Sequence, residues 1–253
     1  MRLSYTAVWD DAAAMLRANA SLIAALAGAF LFLPALVVRQ YAAPPSSQGA
    51  PADFVHVFAA FQAYVAAYWP LLLAARIAEL VGSVAILELV LGPRGTSVAG
   101  AIGTGFLLLP FYFATFFLAN IAIFAGIVLL VVPGLYLLGR LAPFPAVVVA
   151  ERRRSPFDAL ARAWALTAGR GWAVLGLLLL VMIAIAIVTA IAGMVLGVVF
   201  VFLAGKGLGG FLAAAAAAVA GAAGAVVMLA LYAALYRHLA GGESGAALGA
   251  VFD

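Results

Sequence analysis

Apolar segments of roughly 20 residues recur along this chain, and a helix of that length crosses about 30 Å of hydrocarbon. Taken in order they cover about 20–39, 70–91, 109–131, 135–150, 172–203 and 210–236. The runs are continuously apolar, whereas the strands of a membrane β-barrel alternate over about ten residues. The fold class is therefore all-α, a polytopic bundle of six transmembrane helices. Composition adds one constraint. Of the residues 68% are hydrophobic and 9% charged, against about 25% charged in a soluble domain, so the surface that water requires is missing.

The few charges are placed rather than scattered. Arg2, Arg17, Arg94, Arg152, Arg153, Arg154, Arg162, Arg170 and Arg237 flank apolar segments on what can be one side, with Arg39 and Lys206 on the other. That bias orients the basic loops and both termini towards the cytoplasm. A net charge of +4 is then explained by contact with anionic lipid, and no nucleic-acid partner is expected.

Residues 1–240 read as a single helical membrane domain and 241–253 as a flexible C-terminal tail. Three short interfacial helices are expected at about 4–19, 96–108 and 155–169. The first carries Trp9, Ala12 and Leu16 on one side. The third opens on "SPFD", in which Ser155 caps, Pro156 takes the first helical position and Asp158 completes the start signal. Its apolar side is Phe157, Leu160 and Trp164, anchored by Arg152, Arg153 and Arg154. "YAAPPSSQGAP", 41–51, is a loop, Pro34 bends the first span, Pro133 and Gly134 form a turn, and "KGLGG" separates the last two spans. The fourth span, at about 16 residues, rises only about 24 Å, which predicts a broken or oblique helix. Interfacial helix, outward span and inward span begin near 4, 96 and 155, a pattern of three repeated units or simply three hairpins.

Arg76, Glu79 and Arg140 fall inside spans, Arg140 roughly 8–9 Å from the nearer end by helical rise, and Tyr136 shares a helix face with it. Charges at that depth are expected to turn inward and share partners. Arg76 and Glu79 pair within one helix at the least; Arg140 bridging to Glu79 is the bolder arrangement. The set reads either as an anion or lipid-headgroup site or as a network that fixes helix packing. Glu88, half a turn from Glu79, belongs to the interface. Gly193 with Gly197, Ala213 to Ala218, Gly221 and Gly224 permit close helix approach, to a neighbour in the same chain or to another subunit.

Chemistry finds little to work with. There is no Cys and there are two His, His56 and His238, so thiolate chemistry is excluded and neither a metal site nor a cofactor is expected. No metalloprotease helix, phosphate loop or serine elbow occurs.

One stretch carries a resemblance. "PGLYLLGRLAPFPAVVVAERRRSPFDALARAWALTAGRGW", 133–172, resembles the membrane-domain family attached in some proteins to glycerophosphoryl diester phosphodiesterases, and the related YciC-like bacterial inner-membrane proteins. Its matching elements are Pro133-Gly134, Tyr136, Arg140, Pro145, Glu151, Ala159-Leu160, Arg162, Trp164, Leu166-Thr167, Gly169 and Trp172. The resemblance implies a six-span inner-membrane protein and does not bring catalysis with it, because the acidic and histidine residues of the hydrolase are missing. The expected function is that of a non-enzymatic membrane protein engaging phospholipids, a protein partner or a second copy. The alternative is a transporter or lipid carrier working through Arg76, Glu79 and Arg140, which requires a polar cavity reaching both sides.

Overall fold

The computed structural model describes residues 4–42, 54–93 and 95–252, and all regular structure among them is helical. The expected loop from residue 43 onward, together with Arg2 and Arg94 of the basic set, lies outside the described residues. Among the described residues six helical segments are long and apolar enough to cross a membrane: Ala20–Tyr41, Val55–Leu91, Val98–Leu129, Val131–Ala150, Gly171–Ala204 and Gly207–Gly241. The chain is a multi-pass helical membrane bundle.

Helix α1, Tyr5–Ala18, starts at Ser4, whose hydroxyl accepts from the Ala7 N–H. It buries Val8, Ala12 and Met15 against the bundle and leaves Trp9 outside, so Trp9 is not on the same face as Ala12. The first span is α2, Ala20–Ala27, a π-helical turn at Gly28–Phe32, and α3, Leu33–Tyr41. Pro34 has no N–H to offer the Phe30 carbonyl and its ring would press on it. The chain widens by one residue just ahead of it, with Leu33 N–H reaching Gly28 C=O, a π-helical turn of the kind at which helices kink.

Helix α4, Phe54–Leu91, is continuous through Pro70, so the aromatic stretch before residue 70 extends the second span. Helix α5, Val98–Leu129, is also unbroken. The separate interfacial helix expected at 96–108 does not exist; Ser97 caps one long helix through the Gly100 N–H at 3.1 Å. No polar or conformational break separates 108 from 109, and the three-unit repeat loses its second interfacial member. Gly105 makes the α4–α5 contact possible, since a Cβ there would lie 2.9 Å from the Val81 carbonyl oxygen.

Helix α6, Val131–Leu141, turns back at Leu130, which is extended. Pro133 and Gly134 are inside its first turn and do not form the reversal: a proline loses no ladder bond there, and Gly134 lets Ile127 of α5 lie against its backbone. The short fourth span is a broken helix. It stops at Leu141, passes Ala142 and Pro143, and resumes as α7, Phe144–Ala150, whose residues Pro145 to Val149 are all buried. Helix α8, Pro156–Leu166, begins with the expected cap, Asp158 N–H donating to Ser155 Oγ.

Helix α9, Gly171–Ala204, reverses through the π-helical turn Gly205–Gly209 into α10, Gly210–Phe252. Glycines let the two helices of this hairpin approach: Gly209 abuts the Phe200 backbone, and a Cβ on Gly224 would sit 2.7 Å from the Ile185 side chain. Gly197 and Gly224 find their neighbour within the chain, whereas a Cβ on Gly193 or Gly221 meets nothing within 4 Å. The backbone of α10 stays helical to Phe252, past the start of the expected flexible tail at 241. The core gathers Val84 and Leu87 of α4, Val147 and Val148 of α7, and Leu231 and Leu235 of α10, all buried.

Candidate functional site

Arg76 and Glu79 are one turn apart on α4, and the Arg76 Nη1 donates to Glu79 Oε2 at 2.5 Å. The guanidinium also lies over the Phe116 ring of α5, 4.3 Å from its centroid. The two side chains keep 36% and 44% of their surface exposed, which is decisive for a pair so far from a helix end. They face a cleft of about 540 Å³ between α3, α4 and α10. Its walls are aliphatic, with Leu31, Val38 and Leu72 among them, while Arg39 and Tyr64 line it with the ion pair. Tyr64 donates to the Ala42 carbonyl at 2.8 Å, tying α4 to the end of the first span.

The cleft has a direction. Measured from Glu88 along α4 at 1.5 Å per residue, Glu79 is about 14 Å, Arg76 about 18 Å and Tyr64 about 36 Å away. Glu88 is paired with Arg152 at the arginine-rich end, so the cleft reaches from the opposite end to mid-span. Past Glu79 towards Glu88, Leu80, Val81, Val84, Ala85 and Leu87 are buried, so α4 is packed there.

Arg140 is not part of this arrangement. It makes no ion pair among the described residues. Its Nη1 donates to the Thr167 carbonyl at 2.7 Å, and the guanidinium stacks 4.0 Å from the Trp164 ring centroid and 5.8 Å from that of Tyr136. The expected bridge to Glu79 fails because the chain breaks after Leu141. Arg140 ends α6 against α8 and α9, and equal depth on two helices says nothing about which neighbour each one faces. Tyr136 is beside Arg140 as expected, with Trp164 edge-on at 6.2 Å and Trp172 at 5.4 Å.

The arginine-rich end is a set of ion pairs. Arg152, held at φ 51°, reaches the buried Glu88 at 2.5 Å. Arg153 and Arg162 both bond Glu151, at 2.8 and 3.0 Å, and the Tyr236 hydroxyl donates to the same carboxylate at 3.2 Å. Partial burial alone would raise the Glu151 pKa; the hydrogen bonds and charges of Arg162 and Arg153 outweigh it and hold the carboxyl below its usual range. Arg237 and His238 of α10 meet Asp11 of α1. Of the three clustered arginines, Arg152 reaches α4 and Arg153 holds Glu151, to which Arg162 of α8 and Tyr236 of α10 also bind, while Arg154 is exposed. On α8 the bundle-facing residues are Ala159, Ala163 and Leu166. Of the expected apolar side, Phe157 is 70% exposed and Leu160 half-buried, while Trp164 is partly exposed with its ring against Arg140 and Tyr136, so only Phe157 points clear of the bundle.

Thr167, Arg39, Tyr64 and Gly171 complete these two places, and none was singled out from sequence for a contact. Thr167 and Gly171 carried a readable signal, lying in a run of small and polar residues just ahead of an apolar span. Among the described residues no three His, Asp or Glu side chains converge. No protein-family model matches the chain, and neither the curated proteins nor the solved structures contain a significant match.

Proposed function

We propose that this chain is a non-enzymatic, multi-pass protein of a bacterial inner membrane that holds a phospholipid in the cleft between α3, α4 and α10. The observation that carries the reading is the Arg76–Glu79 pair, more than a third exposed, facing that cleft at mid-span. Hydrocarbon is a poor neighbour for an ion pair, and the expense is several kcal/mol unless water or a polar group meets it. A lipid satisfies both parts of the lining: its polar end meets Arg39, Arg76 and Glu79, and its tails lie along the aliphatic walls. The packing of α4 below Glu79 supports retention over passage to the other end. The arginine bias supports the orientation with α1 and α8 on the cytoplasmic side, and the resemblance of 133–172 to phosphodiesterase-linked and YciC-like membrane domains supports the same setting.

The test is photochemical. The full chain is reconstituted with a phosphatidylglycerol carrying a diazirine in one tail, irradiated, and its adducts mapped by mass spectrometry. Adducts concentrated on the peptides carrying Leu31 to Arg39, Leu72 to Glu79 and Gly221 to Ala225 are expected. Adducts spread evenly over the outer faces of α5 and α9 overturn the proposal.

A further inference from the structure

We infer that the start of α9, together with Arg140 and Arg170, is a seat for a phosphate anion at the membrane surface, and that a phospholipid headgroup supplies it. The inference uses none of the cleft residues and stands or falls apart from that site.

The first observation is a buried cation without a counter-charge. Arg140 is 5% exposed and makes no ion pair among the described residues. A guanidinium carries five N–H donors. Here Nη1 bonds the Thr167 carbonyl, and among the described residues the fully buried Nε has no acceptor and Nη2 makes no hydrogen bond. The carboxylates that could have compensated it are engaged elsewhere: Glu79 with Arg76, Glu88 with Arg152, Glu151 with Arg153 and Arg162.

The second observation is where that cation lies. Gly171 begins α9, and a Cβ on it would come 2.6 Å from Arg140 Cδ, so the arginine stem rests on the helix start because no side chain intervenes. The helix runs 34 residues and has no side-chain cap. Its ladder opens with Val174 N–H to Arg170 C=O, which leaves the amides of Gly171, Trp172 and Ala173 pointing out of the helix start. Free amides and the positive end of a long helix attract anions and repel a neighbouring cation. Arg170, at the cap position and half-buried, puts a second positively charged residue directly ahead of the helix start. Gly169, at φ +70°, turns the chain so that cap and helix start follow α8 directly.

An anion settled here would answer the Arg140 guanidinium and the uncapped amides together, within reach of the charge on Arg170. Phosphate fits the fork geometry of arginine. The membrane is its nearest source, because α9 enters the bilayer at this point and Trp164 and Trp172 are exposed beside it, as aromatic residues are at headgroup depth.

The experiment uses the full chain in a neutral detergent with Trp9→Phe and Trp69→Phe, so that fluorescence reports on Trp164 and Trp172 alone. It is titrated with dihexanoyl phosphatidylglycerol and, separately, with inorganic phosphate as competitor. A saturable change is expected, weakened at least five-fold by Arg170→Gln and by Arg140→Lys and unchanged by Gly221→Leu, which alters only the cleft. Arg170 is outside the core, so its variant keeps the test open if Arg140→Lys does not fold. Failure of millimolar inorganic phosphate to displace the lipid identifies the headgroup as the source; displacement identifies a seat for free phosphate. Absence of a saturable change with either probe, or equal affinity in wild type and Arg170→Gln, overturns the inference.

Discussion

Arg140 and Thr167 cap each other. The Arg140 Nη1 donates to the Thr167 carbonyl at 2.7 Å and the Thr167 hydroxyl donates to the Arg140 carbonyl at 2.8 Å. These carbonyls end α6 and α8, where a helix leaves its last carbonyls without ladder partners; the Thr167 carbonyl also takes the Arg170 N–H at 3.0 Å, and the Thr167 hydroxyl lies 2.9 Å from the Ala163 carbonyl as well. One pair of residues thus closes two helices that meet at the start of a third.

Replacing Thr167 with Val removes the hydroxyl and leaves a buried carbonyl without its donor, an expected loss of about 1–3 kcal/mol. Thr167→Ser keeps the donor. Thermal unfolding in detergent followed by size-exclusion chromatography is expected to place the Val variant below wild type and the Ser variant beside it; equal behaviour of Val and Ser contradicts the mutual cap.

Gly139 and Gly193 are both helical glycines in this membrane bundle, and they should respond oppositely to alanine. A Cβ on Gly139 would fall 2.6 Å from the Gly171 carbonyl oxygen and 2.8 Å from Leu175 Cβ, while one on Gly193 meets nothing within 4 Å. Gly139→Ala is expected to destabilise by about 1–3 kcal/mol through overpacking of α6 on α9. Gly193→Ala is expected to be neutral or to stabilise by up to about 1 kcal/mol through helix propensity. The same unfolding assay ranks them, and a reversed order removes the α6–α9 contact from the account.

Glu151 makes acid stability a local matter. Its folded pKa lies below the usual carboxylate value near 4.3. The unfolded chain therefore takes up the proton first, and the contribution to stability is full above the ordinary value and lost as pH falls through the lower folded one. Glu151→Gln removes that term. Stability measured from pH 7 down to 3 is expected to fall less steeply in the variant than in wild type; parallel curves contradict the role of Arg153 and Arg162.

The spans were legible because a continuous apolar run has one physical use in a chain with so few charges, and the "SPFD" start was legible because capping is local chemistry. Where helices end was harder. Pro133 and Gly134 look like a turn, but a proline in the first turn of a helix and a glycine under a crossing helix look the same in sequence. The Arg76–Glu79 pair was readable from its spacing of three on one helix. The place of Arg140 was not, because it depends on the break at Ala142 and Pro143 and on which face α8 presents. The inward face of α8 was not legible for a related reason: in a membrane protein small residues such as Ala159 and Ala163 can make the helix contact while bulkier apolar ones stay outside.

The central claim is that the cleft beside Arg76 and Glu79 is occupied by lipid, and Gly221 gives the most direct access to it. It lines the cleft, and a Cβ there meets open space, so Gly221→Leu fills the volume without disturbing the helices. Native mass spectrometry of wild type and variant released from mild detergent reads the bound lipid. The account predicts that wild type retains at least one phospholipid more than Gly221→Leu while thermal stability is kept, whatever the seat at the start of α9 holds in both; the same number of bound lipids on both chains would contradict it.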